Sequence, residues 1–256
     1  MTYLLLDLGN STGKYRLYDK GCFVDTGQVP VNALQDAITS LNFSKRLAGI
    51  YLVSVVADDL TKKMVDKLQA SFQCPVQRIT TSQSAFGVSC GYDEPDTLGD
   101  DRWVAMLAAY QKTAQQGQKK PTLVIDCGTV ITADVINFDG QHLGGWLLPN
   151  TELLKSSLQQ KSARVSRAIQ QSTTTKMDAS GNMVPGHSTL ACIEHGGRLA
   201  SIGFIEQCIA QAKNITNAEL LCFLTGGGAK ELQPLLSNEI KYSPDLIFDG
   251  LALFIE

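Results

Sequence analysis

The sequence predicts an α/β protein made of two duplicated halves. Apolar, β-rich runs alternate with stretches of helical periodicity. The segment TLVIDCGTVITADVINFDG repeats, about half a chain later, the grammar of LLLDLGNSTGKYRLYDKG. A polar stretch containing Gly and Pro, QQGQKKP, stands between the two copies. Each copy runs from apolar residues into Asp, one further residue, Gly and small hydroxylated residues: Asp7 and Gly9 in the first, Asp126 and Gly128 in the second. Such a duplication is expected to give two domains, 1–117 and 118–256, facing each other across a cleft.

Taken in order, TYLLLDL, KYRLYD and GIYLVSVV read as strands separated by turn residues. Residues 101–116 follow GDDR and place Trp103, Met106, Leu107 and Tyr110 at helical spacing with alanine filling, which predicts a helix. The second copy reads as strand, Gly turn, strand and hairpin turn. Residues 150–213 are expected to be mainly helical, interrupted by a polar exposed turn or loop from Gln170 to Gly186. ELLCFLTGGGAKEL reads as a strand entering a triple-glycine turn and a helix, and a last strand and helix are expected through DLIFDGLALFIE.

Composition excludes several classes of partner. In 256 residues, 44% hydrophobic, the acidic and basic side chains are mixed and sum to a formal charge of -3, so no cationic face is expected for nucleic acid. No run approaches the roughly 20 apolar residues of a membrane helix, so no membrane association is expected. The opening MTYLLLDLGN is interrupted by Asp7 and lacks a basic leader, as expected of a buried strand in a cytoplasmic protein and not of a signal. Seven cysteines without a CxxC pair read as reduced thiols. Cys127 is expected as a small buried residue, Trp103 and Trp146 as packing residues, and His142, His187 and His195 show no metal spacing.

Three turns can handle phosphate. In DLGNSTGK, Asp7 to Lys14, two glycines allow close backbone approach to a phosphate, while amides and hydroxyls can donate to its oxygens. Asp7 would repel phosphate and suits a hydrated Mg²⁺ instead. This is not a P-loop, since Lys14 is followed by Tyr15 and a strand is expected where a P-loop needs a helix. Asp126, Gly128 and Thr129 repeat the pattern, and Thr225 to Gly228 supply a glycine turn opening a helix. Together the three turns resemble the phosphate-1, phosphate-2 and adenosine motifs of the actin-like ATPase superfamily, whose domains have a ribonuclease H-like fold.

Within that superfamily, Tyr92 with Pro95, GDDR at 99–102, DCGTVIT, LGGWLLP, GHST at 186–189, LTGGGA and FDGLAL, in this order, resemble type III pantothenate kinase over nearly the whole chain. The chain departs from the family pattern at Val130, Ile131 and Asn150. The resemblance implies ATP-dependent phosphorylation of pantothenate to 4'-phosphopantothenate, the first step of coenzyme A biosynthesis. It implies ATP contacts from Asp7, Leu8, Gly9, Asn10, Ser11, Thr12, Gly13, Lys14 and Thr129, and Mg²⁺ held by Asp7 through water. It also implies a monovalent cation, K⁺ or NH₄⁺, at Asp126. Tyr92, Gly99, Asp100, Asp101, Arg102 and Thr189 would surround pantothenate, and a homodimer is expected. Asp101 corresponds to the family's proposed base, and Arg102 offers a forked cation for the pantothenate carboxylate. For Asp100 a helix cap is the competing role. Other readings are a different kinase of the superfamily and a nucleotide-binding regulator resembling the Bvg accessory factor.

Overall fold

The computed structural model of the chain describes residues 1–10, 12–30, 33, 46–115, 117, 120–171, 184–236 and 239–255. It comprises two compact units, Met1–Lys112 with Asp245–Glu256, and Thr113–Pro244.

In the first unit β1 (Thr2–Leu8), β2 (Thr12–Asp19) and β3 (Cys22–Pro30) form an antiparallel meander. On the other side of β1, β4 (Leu47–Ser54) and β5 (Val76–Arg78) add in parallel, giving the order β3-β2-β1-β4-β5. Nearly all of β1 is buried, as a central strand with both faces covered requires. Helix α1 (Asp58–Phe72) joins β4 to β5, as a parallel pair demands. Its Leu68 packs with Leu4, Leu6, Leu8, Ile50 and Leu52 in one core. A small hairpin, β6 (Ser84–Ala85) and β7 (Val88–Ser89), leads through a short 3₁₀ turn to α2 (Asp100–Gln115). The helix expected over 101–116 is therefore present, with Trp103, Met106 and Leu107 fully buried.

The second unit repeats this plan. β8 (Thr122–Cys127), β9 (Val130–Ile136) and β10 (His142–Pro149) are antiparallel. Helices α3 (Thr151–Lys161), α4 (Ala163–Gln171) and α5 (Thr189–Thr216) intervene before β11 (Leu221–Thr225). Helix α6 (Ala229–Leu232) then leads to β12 (Lys241–Tyr242), and β11 and β12 add in parallel to give the order β10-β9-β8-β11-β12. One core joins Leu123, Ile125, Ile131, Ala133 and Val135 to Ile205, Ile209 and Ala212 of α5. Most of the polar stretch expected from Gln170 to Gly186 lies outside the described residues.

The expected division at 117 and 118 differs from the observed one mainly at the C-terminus, because α7 (Leu246–Ala252) returns to the first unit. Leu246 and Leu251 are fully buried there, and Phe248 packs edge-on against Phe23. Gly250 lies so close to the Val104 carbonyl of α2 that any side chain would collide with it. The segment DLIFDGLALFIE forms this helix, and the last strand is the two-residue β12 just before it.

Candidate active site

The first turn closes the β1–β2 hairpin. Cross-strand pairing sets Asp7 opposite Lys14 and Leu8 opposite Gly13. The Gly9 N–H donates to the Thr12 carbonyl over 3.1 Å, and a Cβ on Gly9 would stand 3.0 Å from that oxygen, so the tight turn favours glycine. Asn10 is exposed and Thr12 half-buried, whereas Ser11 lies outside the described residues. The Asp7 side chain is 10% exposed, with Lys14 Nζ at 3.8 Å. Burial pushes the Asp7 carboxyl up to about 6. Lys14 and Arg16 oppose that shift and the charge of Asp101 adds to it. Asp7 and Asp101 are thus electrostatic neighbours within one unit.

Asp101 stands in the first turn of α2. Its Oδ1 accepts from the Arg102 backbone N–H at 2.7 Å, one of the donors that a helix start leaves without an intrahelical partner. The carboxylate folds back over Gly99, where a Cβ would approach Oδ1 to 2.8 Å. Burial raises the Asp101 pKa, and the Arg102 N–H and guanidinium oppose the rise. Arg102 Nη1 donates to the Tyr92 hydroxyl over 3.2 Å, and its Cζ lies 5.7 Å from the Tyr92 ring centre. Tyr92, Gly99, Asp101 and Arg102 therefore gather at one end of α2.

Asp100 does something not foreseen. It is the first helical residue, and its carboxylate turns into the protein. Oδ1 accepts from the Thr81 N–H at 2.8 Å and from the Thr81 hydroxyl at 3.3 Å, and Oδ2 faces Arg78 Nη2 at 3.5 Å. Nothing in the sequence around Arg78 or Thr81 marks them as partners of Asp100.

In the second unit Asp126 is the penultimate residue of β8, half-buried, and the exposed Thr129 follows in the β8–β9 turn. The triple-glycine turn lies against this one. The Gly228 N–H donates to the Cys127 carbonyl over 2.9 Å. Gly226 adopts a φ of +91°, and a Cβ there would collide with Asp126 Oδ1 and lie 2.6 Å from the Cys127 nitrogen. Burial and Asp126 push the Cys127 thiol up to about 12, which makes it inert. Asn150 ties the turn to α3: its backbone N–H donates to Thr129, its Nδ2 to the Gly128 carbonyl, and its Oδ1 caps the helix by accepting from Leu153. Asn immediately before a helical run is a legible capping signal. Thr189 opens α5 beside its cap Ser188 and is exposed. The expected substrate residues are thus divided, Thr189 in the second unit and the others in the first.

His142 and the two tryptophans have structural settings. Trp103 is fully buried and Trp146 packs against the second core. His142 Nε2 lies 3.2 Å from Asp134 Oδ1 within the second sheet, both side chains almost wholly buried. No cluster of three or more His, Cys, Asp and Glu suited to a metal occurs among the described residues.

Comparison with known proteins identifies the family and the fold. A family profile described as type III pantothenate kinase matches residues 3–211. The chain is 34% identical over 255 residues to the type III pantothenate kinase of Azotobacter vinelandii, covering 97% of this chain and 96% of that one. In structure it is similar to a conserved Campylobacter jejuni protein described as a Baf family transcriptional activator, with a TM-score of 0.61, 21% identity and coverage of 98% and 96%. It is also similar to the inorganic polyphosphate/ATP-glucomannokinase of an Arthrobacter strain, with a TM-score of 0.50, 17% identity and coverage of 98% and 97%. At these identities the structural likeness is one of fold, in keeping with the duplicated α/β architecture expected from the sequence.

Proposed function

The chain belongs to the type III pantothenate kinase family, and from that premise we propose how its residues carry out the ATP-dependent phosphorylation of pantothenate to 4'-phosphopantothenate, the first step of coenzyme A biosynthesis. Asp101 is the general base. As the primary hydroxyl of pantothenate attacks the γ-phosphorus of ATP, the carboxylate accepts its proton and ADP departs. The observation that carries this reading is the carboxylate folded over Gly99 at the head of α2, buried enough for its pKa to rise while the Arg102 N–H fixes its orientation. A raised pKa brings a carboxylate closer to the working pH of a base.

Arg102 receives the pantothenate carboxylate through its guanidinium fork, and the Tyr92 hydroxyl and ring hold that group in place. The turn from Asp7 to Lys14 and Thr129 serve the nucleotide phosphates. Mg²⁺, when bound, neutralises charge on those phosphates. Asp7 fits its role in holding the hydrated ion, since it is a strand-end carboxylate whose raised pKa shows that Lys14 at 3.8 Å leaves its burial incompletely compensated. For the monovalent cation, the half-buried Asp126 carboxylate is the oxygen ligand, approached by Gly226 and Gly128, which carry no side chain to crowd its Oδ1. Self-association as a homodimer is supported by Leu147 on edge strand β10 and Leu153, Leu154 and Leu158 on α3, all more than a third exposed. A cytoplasmic location suits the free thiols. Among the described residues no helix is long and apolar enough to cross a membrane.

Asp101→Asn tests the central assignment. It retains size and hydrogen bonding while removing the basic oxygen, so kcat is expected to fall by about 10² to 10⁴ with substrate binding largely intact. A purified, folded Asp101→Asn with close to wild-type kcat in an ATP-dependent pantothenate assay would place proton removal elsewhere.

A further inference from the structure

Among the described residues, the hydrogen bonds of Asp101 are local, to N–H groups of its own helical turn. Its position in space is therefore that of the turn, which raises the question of what holds the turn. In the backbone, Leu98 N–H donates to Pro95 and Trp103 N–H to Gly99, both within the same segment. Of the side-chain hydrogen bonds that leave the segment, that of Arg102 goes to Tyr92, and a group of them converges on the neighbouring residue, Asp100. The hydroxyl and N–H of Thr81 reach Asp100 Oδ1, and the same hydroxyl lies 2.9 Å from the Leu98 carbonyl. On the other oxygen stands Arg78, whose Nη1 donates at 2.7 Å to Asp58, the first residue of α1.

Arg78 is itself fixed. It ends β5, where it pairs with Leu52 of β4, and the next residue, Ile79, donates its N–H to the Leu52 carbonyl over 2.8 Å. One guanidinium thus spans the acidic first turns of two helices from a strand of the sheet. Each of those carboxylates also sits at the positive end of its helix. Among the described residues the buried Arg78 Nε has no hydrogen-bond partner, so the bridge carries an uncompensated polar group.

We infer that Arg78, acting with Thr81 through Asp100, is the positioning residue that fixes the first turn of α2 and so aims the Asp101 carboxylate at the pantothenate hydroxyl. The inference rests on Asp101 being the base. Arg78 is not among the residues assigned to either substrate, so its removal is expected to act on orientation, where a displacement on the order of 1 Å is enough to cost about 10²-fold in rate.

The test is a kinetic cycle on the full chain with Arg78→Met, Asp101→Asn and the double variant, with circular dichroism confirming the fold. Arg78→Met is expected to lower kcat by about tenfold to a hundredfold, while the pantothenate KM stays within about twofold because Arg102 and Tyr92 remain. In the Asp101→Asn background the same change is expected to cost less than about twofold, since no basic oxygen is left to misplace. Should Arg78→Met fail to fold, Arg78→Lys and Thr81→Val take its place in the cycle. Thr81→Val keeps shape and backbone N–H but removes the hydroxyl, and a severalfold loss of kcat that vanishes in the Asp101→Asn background is expected. Losses that multiply in the double variants refute the coupling and leave Arg78 a stabilising residue. A wild-type kcat for Asp101→Asn alone removes the base, and the positioning role with it.

Discussion

Asp7→Asn is expected to make the ligand-free protein more stable while impairing its use of Mg²⁺ and ATP. In the folded protein the carboxyl titrates at about 6 against 3.8 ordinarily, chiefly because burial disfavours its charge. A group whose folded pKa is raised contributes stability that is fully present below the unfolded pKa and lost as pH rises through the folded one. Above pH 6 the ionised Asp7 therefore costs the fold about 3 kcal/mol, taking roughly 2 units at 1.36 kcal/mol each. Asparagine is neutral throughout and escapes that cost. The variant should melt higher than wild type at pH 8, by roughly 6–12 °C for a protein of this size. The difference should close between pH 6 and 4 as wild-type Asp7 takes up its proton. Differential scanning calorimetry across pH 4–8, without nucleotide, reads both features. A gap in melting temperature that is absent at pH 8, or as large at pH 4 as at pH 8, would refute the argument from burial.

Arg102→Lys should raise the pantothenate KM with little change in the ATP KM, because a point charge cannot reproduce a forked contact with a carboxylate. Steady-state kinetics with each substrate varied separates the two. Gly226→Ala is expected to lower stability by more than about 1 kcal/mol, since alanine is strained at positive φ. Its methyl group would also displace Asp126, so the ATP KM should rise together with the fall in melting temperature.

The duplication was legible because it rests on short signals repeated in register: apolar strand, Asp, Gly turn, strand. The structure reproduces it down to sheet order, β3-β2-β1-β4-β5 against β10-β9-β8-β11-β12. Strand β3 was not anticipated, since CFVDTGQVP is a largely exposed edge strand and lacks an apolar face to announce itself. The return of α7 to the first unit was equally hidden. Nothing local in DLIFDGLALFIE distinguishes burial against α2 from burial in the second core; the close approach of Gly250 to the Val104 carbonyl is visible only in the fold. At the candidate site, Asp101 and Arg102 could be singled out by resemblance, but the partner of Asp100 could not. Thr81 lies 19 residues upstream, and a contact between distant residues leaves no periodicity to read.

Under the proposed assignment of Mg²⁺ to Asp7 and a monovalent cation to Asp126, the two copies of the Asp–Gly turn differ in the way that different ions would require. In the first, the strand register places Lys14 across from Asp7, and the cation partly offsets a buried carboxylate. In the second, the residue across from Asp126 is Thr132, so the cross-strand position holds a neutral hydroxyl instead of a cation. Asp126 is also less buried, and the close neighbours of its Oδ1 include the Gly226 backbone. A carboxylate with a lysine opposite it has part of its charge already answered, which suits holding Mg²⁺ through water beside phosphates that the same lysine can reach. A carboxylate bordered by hydroxyl and backbone groups suits direct oxygen coordination of a larger monovalent ion. Under the proposed assignment the duplication thus supplied two similar turns, and one cross-strand residue, Lys14 or Thr132, separates their chemistry.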